Sequence, residues 1–371
     1  QDYGASTFYS AKFDNQWEAT RRIITSAQAD IKPFGDERFV ITPQAYWHRD
    51  VDHYQLTRGK EGAKNGENYH RTDVYGASLN AHATWLLGKT AVGMDIRKEH
   101  ILSTAYGDLL PENEWKDIHG TDRRYDHRGD RTNTSLFLEH NVILGGFTLS
   151  AGVLANRNTG LDGDFRFYPG VDLSYRPNEM WKFYASWNKA LRVPTYTDLY
   201  TSNSVQQGDT GLRPERTSTF KVGTRFRTRG VEAVVSGFYS KGNDIIDWVY
   251  ETEESRKYHA MNIGKLDNMG YSVDATLNMT ELLPGSFVTR IKAGYARIHQ
   301  RHTTEQPVYR SLYALEYLRH KATFQLDHRI WSRLSASWAV RWQERMNHYE
   351  PYTKVDCKLQ WTAPTYSLYV K

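Results

Sequence analysis

Residues 105–130 hold seven acids: Asp108, Glu112, Glu114, Asp117, Asp122, Asp126 and Asp130. Such a density of oxygen donors could hold a hard cation such as Ca²⁺. The D-x-D-x-D-G spacing of a calcium loop is missing, and Lys116, Arg123, Arg124 and Arg128 lie among the acids. The stretch reads as a solvated charged loop, and no metal is assigned to it. Fourteen histidines invite a metal or haem reading, but solvated polar positions in lumen and loops are the favoured account of them. Nucleophile elbow, zinc-protease helix and phosphate loop are all missing from the sequence. No catalytic residue and no cofactor are therefore expected, and the chain is not read as an enzyme. Two polar-aromatic clusters remain: Tyr196, Asp198 and Tyr200, and Asp247, Trp248, Tyr250 and Tyr258. Aromatic walls carrying a few polar groups suit a bulky amphipathic ligand. Trp248 and Tyr250 would equally suit a membrane-interface belt at a strand end.

The elements that must position these clusters are strands. Period-two alternation recurs from one end of the chain to the other. Leu334, Ala336, Trp338, Val340 and Trp342 alternate with Ser335, Ser337, Ala339, Arg341 and Gln343, and Trp181, Phe183, Ala185 and Trp187 with Lys182, Tyr184, Ser186 and Asn188. About sixteen such strands are expected, many of them long enough to cross a bilayer at a tilt. No convincing helical stripe competes. Connections alternate in length. Short turns are expected near 34–36, 87–89, 144–146, 176–179, 228–230, 280–286, 329–332 and 362–365. Longer loops are expected near 50–70, 105–130, 156–164, 190–216, 242–260, 300–316 and 343–353. One trimmed rim and one elaborated rim are the asymmetry of outer-membrane barrels.

Composition is compatible with this. Mean hydropathy is −0.70, and no apolar run is long enough for a transmembrane helix; alternating barrel strands average out as polar. The net charge of +5 is spread over 371 residues, so nucleic acid is not an expected partner. A single cysteine, Cys357, excludes a disulfide framework within the chain. Trp47, Trp85, Trp181, Trp187, Trp331, Trp342 and Trp361 lie near expected strand ends, where interface girdles would place them. The fold class is all-β: an antiparallel, up-and-down transmembrane β-barrel whose lumen is too wide for side chains to fill.

The segment RVPTYTDLY (192–200), followed by GLRPERTSTFKVGTRFR (211–227), resembles a signature of TonB-dependent outer-membrane receptors. Arg192, Pro194 and Thr195 match its first half; Leu212, Pro214 and Glu215 match its second, with Gly223 at its small mid-strand position. Both prolines are expected at strand ends, where a missing N–H costs little. FYASWNKALR (183–192) and LDNMGYSVDATLNM (266–279) also resemble the family. Within it the chain looks most like receptors of Bacteroides-type bacteria grouped with vitamin B12 and siderophore receptors.

The resemblance implies a 22-stranded barrel around an N-terminal plug, of which residues 1–371 would be a partial barrel, roughly strands 6 to 21, without the plug or the last strand. It implies a Gram-negative outer-membrane location and partners to match: outer-membrane lipid, the TonB energy-coupling protein acting through a plug segment, and a small-molecule nutrient. The expected function is active uptake of a corrinoid first, or of a ferric siderophore. A passive porin and an oligosaccharide importer with a surface lipoprotein lid are the alternatives. Haem receptors of the family carry a histidine between the two proline segments, and residues 193–213 contain none.

Overall fold

The computed structural model describes residues 2–3, 15–315, 317–346 and 349–371. Its main feature is one 18-stranded antiparallel sheet. Two of those strands, Asp2–Tyr3 and Asp108–Leu109, are two residues long. The remaining sixteen form a wall in which each strand pairs with the next along the chain, from Trp17–Gln28 to Ser367–Val370. Among the described residues no pairing joins the two ends of this wall.

Alternation fixes the faces. Phe183, Trp187, Phe220, Val222, Met269, Tyr271 and Val273 are exposed on one side of the wall, the behaviour of side chains meant for lipid. Lys182, Tyr184, Lys221 and Gly223 fall on the other side by register. Across one inner pair, Tyr184 lies over Gly223: a Cβ there would meet the tyrosine ring at 2.4 Å. The glycine leaves room for the ring, and the Lys221 ammonium sits 5.9 Å from the ring centroid.

The two rims differ as the alternation of connection lengths predicts. On the trimmed rim, Gly145–Gly146 and Arg229–Gly230 are two-residue turns, with Gly145 at φ 57° and Gly230 at φ 75°. Left-handed values of this kind favour glycine in tight hairpins. Trp85, Trp181, Trp331 and Trp361 lie exposed along this rim. The connection at 279–287 is longer and carries a helical turn, Met279–Leu282.

Several strands outrun the membrane. Phe39–Gln55 has 17 residues and Glu67–Trp85 has 19, against the roughly 9–11 that cross a bilayer. The end of Glu67–Trp85 at the elaborated rim, with that of Gly88–Ser103 beside it, is clothed by the acidic loop that follows. Leu110, Ile118 and Tyr125 of that loop pack with Tyr69 and Leu102 in a buried cluster. The reading of 105–130 as simply solvated needs this amendment: its apolar residues dock on the wall, while its acids take arginine partners, Asp117 with Arg124 at 2.9 Å and Asp130 with Arg128 at 3.4 Å.

Candidate ligand site at the outer loops

The two proline segments build the base of the site. Arg192 ends the strand Trp181–Arg192 and reaches two acids, Glu215 at 2.7 Å and Asp198 at 3.0 Å. Asp198 also accepts from the Thr195 N–H at 2.9 Å and the Thr195 hydroxyl at 2.8 Å, while its own N–H donates to Thr195 Oγ1 at 3.1 Å. This capping box starts the five-residue helix Tyr196–Tyr200. Pro194 is fully buried, and its carbonyl accepts from Arg131 Nη1 at 2.9 Å. Arg131 belongs to His127–Leu144, three strands away along the wall, so the loop runs sideways over the inner face. The same guanidinium lies 4.6 Å from the Tyr196 ring centroid. Gly129 makes the approach possible, because a Cβ there would meet Tyr196 Cε1 at 2.7 Å. Burial pushes the Tyr196 hydroxyl up to about 12, and that buried oxygen has no protein partner. Further along, Thr201 Oγ1 bonds Tyr106 Oη at 3.0 Å.

On the second segment, Glu215 Oε1 accepts from Arg192 and also from the Ile246 N–H at 2.9 Å. Asn262 clasps the backbone of Arg213 in both directions, each bond 2.9 Å long. Asp244 turns the chain at φ 55° and accepts from Arg213 Nε at 2.9 Å and Arg216 Nη2 at 2.6 Å. Burial alone would raise its pKa, but the bonds from Arg216 and Arg213 outweigh that and hold it below its ordinary value.

Three outer loops then join into one body. Gln206–Gln207 runs parallel to Tyr258–Asn262, which pairs antiparallel with Ile246–Tyr250, which in turn pairs with Arg310–Ser311. Each face of this small sheet has its own apolar core. One gathers Leu212, Ile246, Trp248, Tyr258 and Ala260, and the other Ile245, Val249, Met261, Ile263, Leu266 and Leu315. Asp247 pins the body from within and is 1% exposed. It accepts from the Ser311 hydroxyl, from the Trp248 N–H at 2.7 Å, from the Ala314 N–H at 2.9 Å and from the Tyr313 N–H at 3.2 Å. Burial pushes its pKa up in spite of these donors.

The seven residues expected to touch ligand thus fall into two groups. Asp198, Asp247, Trp248 and Tyr258 are buried and bond or pack within the loop body. Trp248 sits in a loop core, not in a belt at the membrane interface. Tyr196, Tyr200 and Tyr250 keep part of their surface, with Tyr250 stacked on Tyr258 at 4.1 Å. The structure adds two exposed tyrosines, Tyr309 and Tyr313. Tyr309 donates its N–H to the Tyr250 carbonyl at 2.8 Å. The run PVYRSLYALEY (307–317) carried that signal as a tyrosine-rich loop.

A lipid-facing alternating wall with one trimmed rim and one loop-bearing rim defines an outer-membrane β-barrel protein. The family model for the TonB dependent receptor-like β-barrel matches residues 1–371, and the chain belongs to this family. Among solved structures, the copper transporter OprC superposes with a TM-score of 0.71 at 15% identity, covering 96% of this chain and 60% of that one. A ferric enterobactin receptor mutant from Pseudomonas aeruginosa gives 0.69 at 14% identity, covering 96% and 56%. The unliganded ferric citrate transporter FecA gives 0.66 at 16%, covering 94% and 55%. The vitamin B12 transporter BtuB of Vibrio vulnificus (strain YJ016) is 32% identical over 78 residues, 21% of this chain and 12% of that protein. The chain therefore spans little more than half the length of these solved structures. These named proteins are receptors and transporters, not enzymes, and receptors of this family sit in the Gram-negative outer membrane.

Proposed function

We propose that the protein containing this chain takes up a scarce nutrient too large for passive pores, a corrinoid in first place and a ferric siderophore in second. Ligand lands on the joined outer loops. A plug within the barrel, engaged by the TonB coupling protein, is then displaced to open the way. The observation that carries the reading is the fused three-loop body with Tyr250, Tyr309 and Tyr313 on its surface. Flat aromatic faces held on a rigid support bind a large, partly apolar chelate at low ordering cost. The stretch of identity with a vitamin B12 transporter supports the corrinoid over the iron chelate.

The test is equilibrium binding to the full-length protein in detergent, followed by quenching of intrinsic fluorescence with cyanocobalamin and, separately, with ferric catecholate and ferric citrate. Saturable binding of cyanocobalamin, weakened about tenfold in a Tyr250→Ala, Tyr313→Ala double variant, is the expected result. Binding of a ferric chelate alone would move the assignment to iron. No saturable binding of any of the three would remove the proposal.

A further inference from the structure

Ser103 ends the strand Gly88–Ser103 and is completely buried. Its Oγ accepts the backbone N–H of Ala105 at 2.9 Å and that of Tyr106 at 2.7 Å, which turns the chain into the acidic loop. Its third contact is His70 Nδ1 at 2.8 Å, directly opposite in register on Glu67–Trp85. A hydroxyl has two lone pairs and one proton. With both lone pairs taken by backbone donors, the proton goes to the imidazole. Bond counting therefore makes Nδ1 the acceptor and His70 a neutral ring with its hydrogen on Nε2. A proton on Nδ1 would point at an oxygen with no lone pair left for it.

The same turn lays Tyr106 over the histidine, the two rings stacked at 4.2 Å with 21° between their planes. Tyr106 Oη then bonds Thr201 Oγ1 at 3.0 Å. Thr201 is buried and closes the helix Tyr196–Tyr200, and its carbonyl accepts from the Gly208 N–H at 2.6 Å. One chain of contacts thus runs from a wall strand, through the start of the acidic loop, to the loop between the two proline segments. His70 is the fourth residue from the loop end of a strand that outruns the membrane.

The groups that face His70 give a proton on it no support. Asp52 stands opposite on Phe39–Gln55, but burial and the neighbouring Glu18 push its pKa up to about 8, so it is uncharged at neutral pH and below. Asp50 is engaged by Arg22, and Asp198 by Arg192. The Tyr106 hydroxyl is pushed up by burial and stays neutral. Burial pushes the His70 pKa down to about 4, against an ordinary value near 6.5. A folded value below the unfolded one means that the arrangement is fully stable above about pH 6.5 and loses stability as pH falls towards about 4.

The geometry points to an acid-released latch: neutral His70, through Ser103 and Tyr106, ties the acidic loop to the loop that carries Tyr196–Tyr200, and a proton on Nδ1 undoes the tie. Near neutral pH the two loops move as one unit. In acid, Ser103 loses its acceptor, the turn at 103–106 opens and Tyr106 leaves Thr201. Asp52 and Glu18 stay side by side on wall strands when this happens, so the latch reads His70 and not the acid pair. The latch does not depend on which nutrient the outer loops bind.

Hydrogen exchange on the full-length protein in detergent tests the latch, read as protection factors between about pH 7 and pH 4.5. Protection at the Ala105 and Tyr106 amides is expected to hold down to about pH 6.5 and then to fall by up to about tenfold per pH unit, with Gly208 following. The Leu312 amide, bonded to the Trp248 carbonyl inside the loop body, is the internal standard and should stay protected. His70→Gln still offers Ser103 an acceptor but takes no proton, and is expected to flatten the profile. Tyr106→Phe cuts only the bond to Thr201. It should keep the fall at Ala105 and remove it at Gly208. Heat-modifiable gel mobility reports that each variant is folded. Flat protection at Ala105 and Tyr106 in the unmodified protein, or the same fall in His70→Gln, would overturn the proposal. So would protection that falls as pH rises, which is the direction that ionisation of Asp52 would impose.

Discussion

The wall and the loop body above it are both β-structure, but they are stabilised in opposite ways. In the wall, lipid takes the apolar face and the ladder between neighbouring strands satisfies most of the backbone, so each strand leans chiefly on the next one. In the loop body, short strands from three separate loops pair over a few residues each, and buried side chains add the ties that short ladders lack. Asp247 reaches Ser311, 64 positions along the chain. In the wall, alternation of polarity sets the faces, and close approaches such as Tyr184 over Gly223 add local packing limits. The loop body depends on a few buried polar contacts whose loss leaves donors stranded.

Two perturbations separate the two regions and a third separates two acids within the loop body, in falling order of expected effect. Asp247→Ala strands the Ser311 hydroxyl and the Ala314 N–H, at a cost of about 3 kcal/mol to the loop body. Hydrogen exchange on the full-length protein should show protection lost at 311–315 and 246–250, with the wall unchanged. Equal loss in the wall would show that the two regions do not act separately. Gly223→Val works the other way. Its side chain would run into Tyr184, 2.4 Å from the glycine's Cβ position, and overpacking of this kind costs about 1–3 kcal/mol. The melting temperature of the wall should fall while loop protection at 311–315 is kept.

The smallest effect is one of pH. The Asp244 pKa is lowered on folding, so its contribution is present above the unfolded carboxylate value, near 3.9, and is lost as pH falls through its folded value. The Asp247 pKa is raised, so its contribution is greatest below the unfolded value and is lost as pH rises through its folded value. Protection factors at 213–216 should therefore drop on acidification from pH 5 to pH 3, and those at 311–315 should not. Parallel changes at both sites would contradict the opposite shifts.

What could be read in advance follows from the same division. Wall strands announce themselves locally, because a period of two is visible within ten residues such as 334–343. The rim asymmetry followed from the spacing of those strands, and the sixteen wall strands and the order of short and long connections match that reading. The loop body was legible only in part. Arg192, Thr195 and Glu215 were marked by a motif, and the structure shows the chemistry behind it: a guanidinium bridging two acids and a capping box. Asp247 and Trp248 were picked out as polar-aromatic residues, yet both are buried. Sequence alone does not say that D-W-V lies inside a two-faced loop sheet, since the partners are Ser311 and Leu212, far along the chain.

The claim beneath all of this is that the wall faces lipid on every second residue. Spin labels placed singly at positions 334 to 343 of the full-length protein in bilayers, with Cys357 first replaced by serine, test it directly. Oxygen should relax the labels at 334, 336, 338, 340 and 342, and a water-soluble paramagnetic reagent should relax those between them. Labels accessible to water at both sets of positions would contradict the account.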